Sequence, residues 1–180
     1  MFKRIVVVLA VIIVLFLVIV ALQPADYLVV RSISINAPPA AAFAQVNDFH
    51  YWNAWSPWVK LDPSMKQTYE GTPSGTGAIY TWAGTSKVGE GRMTITESRA
   101  DELIRITLEF LKPFASTAST EFTFKSQGNQ TAVTWTISGH KNFMSKAFGL
   151  LMSMDKMIGG DFEKGLAQLK SVVESASKQK

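Results

Sequence analysis

The sequence predicts an α+β helix-grip fold, in which a curved antiparallel sheet of about seven strands wraps around a long C-terminal helix, with one transmembrane helix placed before it. Three observations carry this reading. An apolar run occupies Ile5 to Leu22, six strand-like stretches follow one another without a helix between them, and a stripe of apolar residues spaced by three and four closes the chain.

The apolar run has 18 residues and contains no Gly, Pro, Ser or charge. As a helix rising ~1.5 Å per residue it spans about 27 Å, close to a hydrocarbon core of ~30 Å, so it crosses with little tilt. The alternative is a cleaved signal peptide, whose apolar region is usually ~7–15 residues and ends at a small-x-small site. Here the run is longer, and the best cleavage position, after Ala21, has Ile19 where a small residue is wanted. The expectation is therefore an uncleaved anchor. Lys3 and Arg4 precede the run and Asp26 is the first charge after it, which places the N-terminus in the cytoplasm and everything after Leu22 outside it.

After a linker at residues 23–27, Val29, Arg31, Ile33 and Ile35 alternate with Val30, Ser32, Ser34 and Asn36, the pattern of a strand with one apolar face. Pro38 and Pro39 then open a short helix carrying Ala40, Phe43, Val46 and Phe49, since proline in a first helical turn loses no intrahelical hydrogen bond. An aromatic cluster follows, Tyr51, Trp52, Trp55 and Trp58, in which Pro57 stops the helix from continuing. Strands are expected near Gln67 to Glu70, Ala78 to Ala83, Gly91 to Ser98, Glu102 to Phe110, Ser116 to Lys125 and Thr131 to Ser138. Short turns between them, such as Gly128 and Asn129, imply an antiparallel meander with one covered face. The cover is the stripe Met144, Phe148, Leu151, Met154, Ile158, Phe162, Leu166, Leu169 and Val173, expected as one continuous helix capped by Asn142. Gly159 and Gly160 inside it mark a close approach, a kink or tolerated residues.

Composition excludes several function classes. The 180 residues include no cysteine and two histidines, His50 and His140, so no disulfide scaffold, thiolate nucleophile or cysteine-based metal centre is possible, and no metal or cofactor is expected. The net charge of +4 disappears when it is apportioned: residues 26–177 carry 14 basic and 14 acidic groups, and Lys178 and Lys180 lie in the tail. A neutral body without a basic stripe predicts no nucleic-acid partner.

The strand-to-helix entry from Ile33 to Asn47, the Trp55 to Trp58 stretch, the turn region from Met65 to Gly77 and the helix from Met154 to Leu169 resemble bacterial proteins of the START-related SRPBCC superfamily, in particular its polyketide cyclase/dehydrase subgroup. The resemblance covers nearly all of residues 28–173. It implies a helix-grip domain at 28–175, which follows the cytoplasmic N-terminus at 1–4 and the anchor at 5–22 read from the apolar run, with a tail at 176–180. With the anchor and the charges that flank it, a bacterial origin places the chain in the inner membrane with the domain facing the periplasm or exterior. Relatives bind lipids, hormones or polyketides, cyclise substrates or act as adaptors, so activity is not settled by membership.

No catalytic signature accompanies the resemblance. Ser74 lacks the glycine spacing of a nucleophile elbow, Gly75 and Gly77 have no third glycine of a dinucleotide fingerprint, and Asn129-Gln130-Thr131 reads as a hairpin turn. The informative residues are aromatic and methionine side chains, either core or the lining of an adaptable cavity between sheet and helix. The expected ligand-binding residues are Trp52, Trp55, Tyr80, Trp82, Met93, Phe110, Trp135, Met154 and Ile158. Trp55 and Trp58 also have a reading as interfacial anchors, because indole rings favour the headgroup region. Three functions follow as expectations: a membrane-anchored binder of a hydrophobic small molecule or lipid; a cyclase or dehydratase, for which Arg31, Asp48 and His50 are the candidate catalytic groups; and an adaptor that docks a protein partner at the membrane.

Overall fold

The computed structural model describes residues 1–150 and 152–177. Leu151, Lys178 and Lys180, which the sequence placed in the helical stripe and the tail, lie outside the described residues.

Helix α1 (Phe2–Leu22) is apolar on all sides and exposed along its length except at Val20, and it is long enough to cross a membrane. Strand β1 (Asp26–Ile35) begins three residues after it, so the linker is Gln23 to Ala25 and not 23–27 as expected. Helix α2 (Pro39–Asn47) starts on proline and buries Ala42, Phe43 and Val46. A 3-10 turn at Phe49–Tyr51 leads into two single-turn helices, α3 (Trp52–Trp55) and α4 (Pro57–Leu61), separated where Pro57 ends the first. The meander then runs through β2 (Lys66–Gly71), β3 (Ala78–Ala83), β4 (Glu90–Arg99), β5 (Leu103–Lys112), β6 (Ser116–Gln127) and β7 (Gln130–His140).

All neighbouring strands are antiparallel, in the order β1-β7-β6-β5-β4-β3-β2. The hairpins bring each strand beside the one before it, and only β1 crosses the sheet to pair with the last strand, Asp26 facing His140 and Ile35 facing Thr131. Alternation is retained in the burial: Ala118, Thr120, Phe122 and Phe124 of β6 point inward with Val133, Trp135 and Ile137 of β7. Register shifts in β4 beside Glu90 and between Ile95 and Glu97 add the bends that curve the sheet.

The C-terminal stripe is not one helix. It is divided into α5 (Phe143–Gly149) and α6 (Met154–Ser177), and α6 continues through residues 176 and 177, which had been assigned to the tail. Asn142 caps α5 as expected, its side chain accepting from the Ser145 N–H at 2.8 Å, while Ser153 accepts from the Lys156 N–H at 3.3 Å and starts α6 afresh. The two pieces have different partners. Lys146 Nζ of α5 donates to the Ala21 carbonyl at the end of α1, at 3.3 Å. Helix α6 lies in the concave side of the sheet and along β1, burying Phe162, Leu166, Leu169 and Val173. Met144 and Phe148, expected on the covered stripe, are therefore exposed.

Edge strand β1 is closed by α6. The Asn36 N–H donates to Glu174 Oε1 at 2.7 Å and Lys170 Nζ donates to the Ser34 carbonyl at 2.7 Å, so side chains occupy backbone groups that a free edge would offer to another chain. The Asn36 amide and Lys170 together hold the Glu174 carboxyl below its ordinary range.

Candidate functional site

An apolar cavity of about 260 Å³ lies between the concave sheet and the first half of α6. Its size approaches the lower end of the ~300–1,000 Å³ usual for small-molecule sites. One wall is Tyr80 and Trp82 of β3, Met93 of β4, and Leu108 and Phe110 of β5. Thr120 and Trp135 close the floor, Trp52, Trp58 and Val59 come from the short helices, and Met154 and Ile158 form the roof.

The arrangement follows from strand parity and from small residues that make room. Tyr80 and Trp82 are two apart on β3, so they share the concave face and stack with centroids 6.0 Å apart. Gly91, across from Trp82 in the β3–β4 pairing, is required by that indole: a Cβ there would overlap its six-membered ring and come within 2.6 Å of the Glu109 carbonyl oxygen. Trp135 stacks on Phe162 of α6 at 3.9 Å and 12°, and on Phe122 at 4.8 Å and 26°. The helix comes this close because position 165 is glycine; a Cβ there would lie 2.9 Å from Trp135 Cζ3.

Each buried indole N–H has an acceptor. Trp52 donates to the Val46 carbonyl at 3.0 Å, Trp55 to the Gln45 carbonyl at 3.1 Å, Trp82 to the Val88 carbonyl at 3.1 Å and Trp135 to Thr120 Oγ1 at 2.8 Å. The rings are thus held in place and present their apolar faces. The Tyr80 hydroxyl is different. It has no hydrogen-bond partner among the described residues, and burial, with the Tyr69 phenol nearby, raises its pKa above the ordinary phenol value. Tyr27, which also lines the cavity, is pushed up by burial as well. Lys87, on the β3–β4 turn, is the one ionised side chain in the lining among the described residues and is itself exposed.

The β3–β4 turn is pinned by Asp62, which accepts from the Thr85 N–H at 2.6 Å, the Ser64 hydroxyl at 2.6 Å and the Ser64 N–H at 3.1 Å. These bonds, the Ser64 hydroxyl foremost, hold its carboxyl down to about 2. Sequence reasoning did not single out Asp62. An Asp two residues before Ser64 is a turn signal, but its third partner lies 23 residues away.

Eight of the nine residues expected to bind a ligand, Trp52, Tyr80, Trp82, Met93, Phe110, Trp135, Met154 and Ile158, come together in the cavity wall. Trp55 does not. It is 1% exposed and packs behind the wall on Trp52, Phe122 and Trp135, which also removes it as an interfacial anchor. Trp58 is half-buried and lines the cavity, its ring set edge-on against Trp135 and Phe162.

The three candidate catalytic groups line no part of the cavity. Arg31 does sit on the inner face of β1, but its guanidinium is clasped to α6: Nε donates to Glu163 Oε1 at 2.6 Å, and Nη1 and Nη2 donate to the two Asp155 oxygens at 2.7 and 3.1 Å. Asp155 is held below its ordinary range by this contact. Asp48 accepts from His50 Nδ1 at 2.7 Å, and the exposed His50 ring stacks on Tyr69 with centroids 4.1 Å apart, on the rim of the molecule. No group of three or more His, Asp or Glu among the described residues has the geometry to hold a metal.

A seven-stranded sheet gripping a helix over an apolar cavity defines a helix-grip protein. The chain belongs to the family described as polyketide cyclase/dehydrase and lipid transport, whose model matches residues 28–174. Solved structures share the fold at low identity. Protein TTHA0849 of Thermus thermophilus is 18% identical with a TM-score of 0.59, the match covering 84% of this chain and 99% of that one. Protein MLL2253 of Mesorhizobium loti is 15% identical with a TM-score of 0.60, covering 83% and 98%. Hypothetical protein jhp0584 of Helicobacter pylori is 10% identical with a TM-score of 0.62, covering 83% and 89%. Comparison with functionally curated proteins yields no significant match.

Proposed function

We propose that this protein is a membrane-anchored binding domain for a hydrophobic small molecule or lipid, held between the sheet and α6. The observation that carries it is the cavity itself: aromatic, aliphatic and methionine walls, indole donors already satisfied, and the Tyr80 hydroxyl, which has no hydrogen-bond partner among the described residues and is not sealed off from the cavity. Such a lining gains free energy by taking apolar surface out of water, and the Tyr80 hydroxyl offers a neutral hydrogen bond to orient the ligand. The family description, which includes lipid transport, supports the same reading. The units are an anchor within α1 and a binding domain from residue 28 to about 175, with the domain on the non-cytoplasmic side of a bacterial inner membrane.

The test is native mass spectrometry of the full chain released from detergent-free polymer nanodiscs. One apolar molecule bound per chain, lost when Ile158→Trp fills the cavity, is the expected result. An empty protein that takes up no added fatty acid or polyketide-like aromatic would overturn it.

A cyclase or dehydratase reading keeps one residue. Tyr80 is a hydrogen-bond donor in the cavity, whereas Arg31, Asp48 and His50 stand outside it. Turnover abolished by Tyr80→Phe with ligand still bound would favour that reading over simple binding.

A further inference from the structure

The sheet has two ends, and the strand pairing assigns every connection to one of them. Asp26 at the start of β1 faces His140 at the end of β7, Phe110 near the end of β5 faces Ser116 at the start of β6, and Ala83 at the end of β3 faces Glu90 at the start of β4. The α1–β1 linker, the β7–α5 connection, the β5–β6 tip and the β3–β4 tip therefore lie at one end. Gln23 to Ala25, three residues, reach about 10 Å at most, so this end stays against whatever holds α1. The cavity is at the same end, since Tyr27, Val88, Phe110 and Met154 line it.

This end is apolar where it should be wet. Phe114 on the β5–β6 tip is 64% exposed and its neighbour Leu111 is similarly open; on the other side Phe143, Met144 and Phe148 of α5 and Met152 after it are exposed, Phe148 by 56%. Cations stand among them. Lys87, Lys141 and Lys156 have no carboxylate partner among the described residues, and Lys146 reaches the last turn of α1.

We infer that α5 and the β5–β6 tip insert into the headgroup and acyl boundary of the bilayer crossed by α1, so that the cavity opens at the membrane surface. This rests on the proposal that α1 is retained as an anchor. The occupant is lipid because α5 is continuous with α1 through the Lys146 contact, because the β5–β6 tip lies at the same end of the sheet, and because the surrounding lysines match anionic headgroups while their stems cross apolar surface. The ligand then passes between acyl chains and cavity past Val88, Met154 and Ile158.

The absence of native cysteine allows single-site labelling of the full chain. Variants Phe148→Cys, Phe114→Cys, Ile13→Cys and Ser126→Cys, each carrying a bimane fluorophore, are reconstituted in vesicles of phosphatidylcholine and phosphatidylglycerol containing spin-labelled lipids. Ile13 reports the anchor, and Ser126, at the opposite end of the sheet, reports the solvent. The expected result is severalfold stronger quenching at 148 and 114 than at 126 by shallow spin labels, with 13 quenched by deep ones. Deep quenching at 13 with 148 and 114 behaving like 126 overturns the inference and leaves the anchor intact. Quenching at 148 and 114 without it at 13 supports the docking surface and overturns the anchor. Labels at 148 and 114 shielded from aqueous iodide yet untouched by lipid spin labels show a protein occupant and overturn the inference.

Discussion

Arg31 occupies the space that a side chain at position 159 would need: a Cβ on Gly159 would lie 2.9 Å from the Arg31 Cζ and still closer to Nη2. The glycine lets a guanidinium from β1 slide under α6 and reach Asp155 and Glu163 on either side of it. Gly160 beside it faces open space.

These two glycines should respond oppositely to alanine. Gly159→Ala forces the Arg31 guanidinium off its carboxylates and is expected to be destabilising. Gly160→Ala meets nothing and is expected to stabilise α6 by up to ~1 kcal/mol through helix propensity. Urea unfolding of the two variants checks the pair; equal shifts would mean that the Arg31 clasp is not what selects glycine.

Trp135 joins sheet to helix through its stack on Phe162 and its donation to Thr120. Trp135→Ala is expected to cost about 3–5 kcal/mol, as for other large aromatic truncations in cores. The half-buried Trp58, truncated in the same way, should cost clearly less. Chemical denaturation with a shared m-value separates them.

Acid should loosen the β3–β4 turn in a defined window. Asp62 is held at about 2 in the fold against an ordinary value near 3.8, so its contribution is fully present above 3.8 and is lost as pH falls through about 2. Asp62→Asn removes this component, and its unfolding midpoint should change less than that of the wild type between pH 4 and pH 2. Asp62→Ala, which leaves no acceptor, frees the Thr85 N–H, so amide exchange at Thr85 should accelerate at neutral pH in that variant.

If the Tyr80 hydroxyl orients the ligand, Tyr80→Phe should weaken binding by about 0.5–1.5 kcal/mol, roughly two- to tenfold, without loss of stability. Titration of the bound molecule by intrinsic tryptophan fluorescence reads this directly, since Trp52, Trp82 and Trp135 line the cavity. Unchanged affinity would leave the cavity selective by shape alone.

Much of the fold was legible because its signals are local. Period-two alternation in Ile104, Ile106 and Leu108, or in Val133, Trp135 and Ile137, marks strands and their inner faces without reference to any partner. The same parity put Tyr80, Trp82, Met93 and Trp135 on the concave side, which is why most of the cavity wall was named from spacing. Parity fails in the short helices: Trp52, Trp55 and Trp58 look alike in sequence, and only packing against Trp135 and Phe122 decides that Trp55 goes behind the wall while Trp58 stays beside it.

By itself the sequence determined the apolar helix, the order of strands, the inward face of each strand and the presence of a C-terminal cover, because each depends on the polarity of residues within a few positions of one another. Tertiary structure alone decided that the cover breaks after Gly149, that Arg31 is a clasp and not a cavity group, and that α5 turns Phe143, Met144 and Phe148 outward beside α1. Those outcomes depend on partners 124 and 132 residues apart, Arg31 with Asp155 and Glu163, and 125 apart, Lys146 with Ala21. Contacts at such separation are chosen by how the sheet pairs its first strand with its last and lays α6 along them, and no local pattern records that choice.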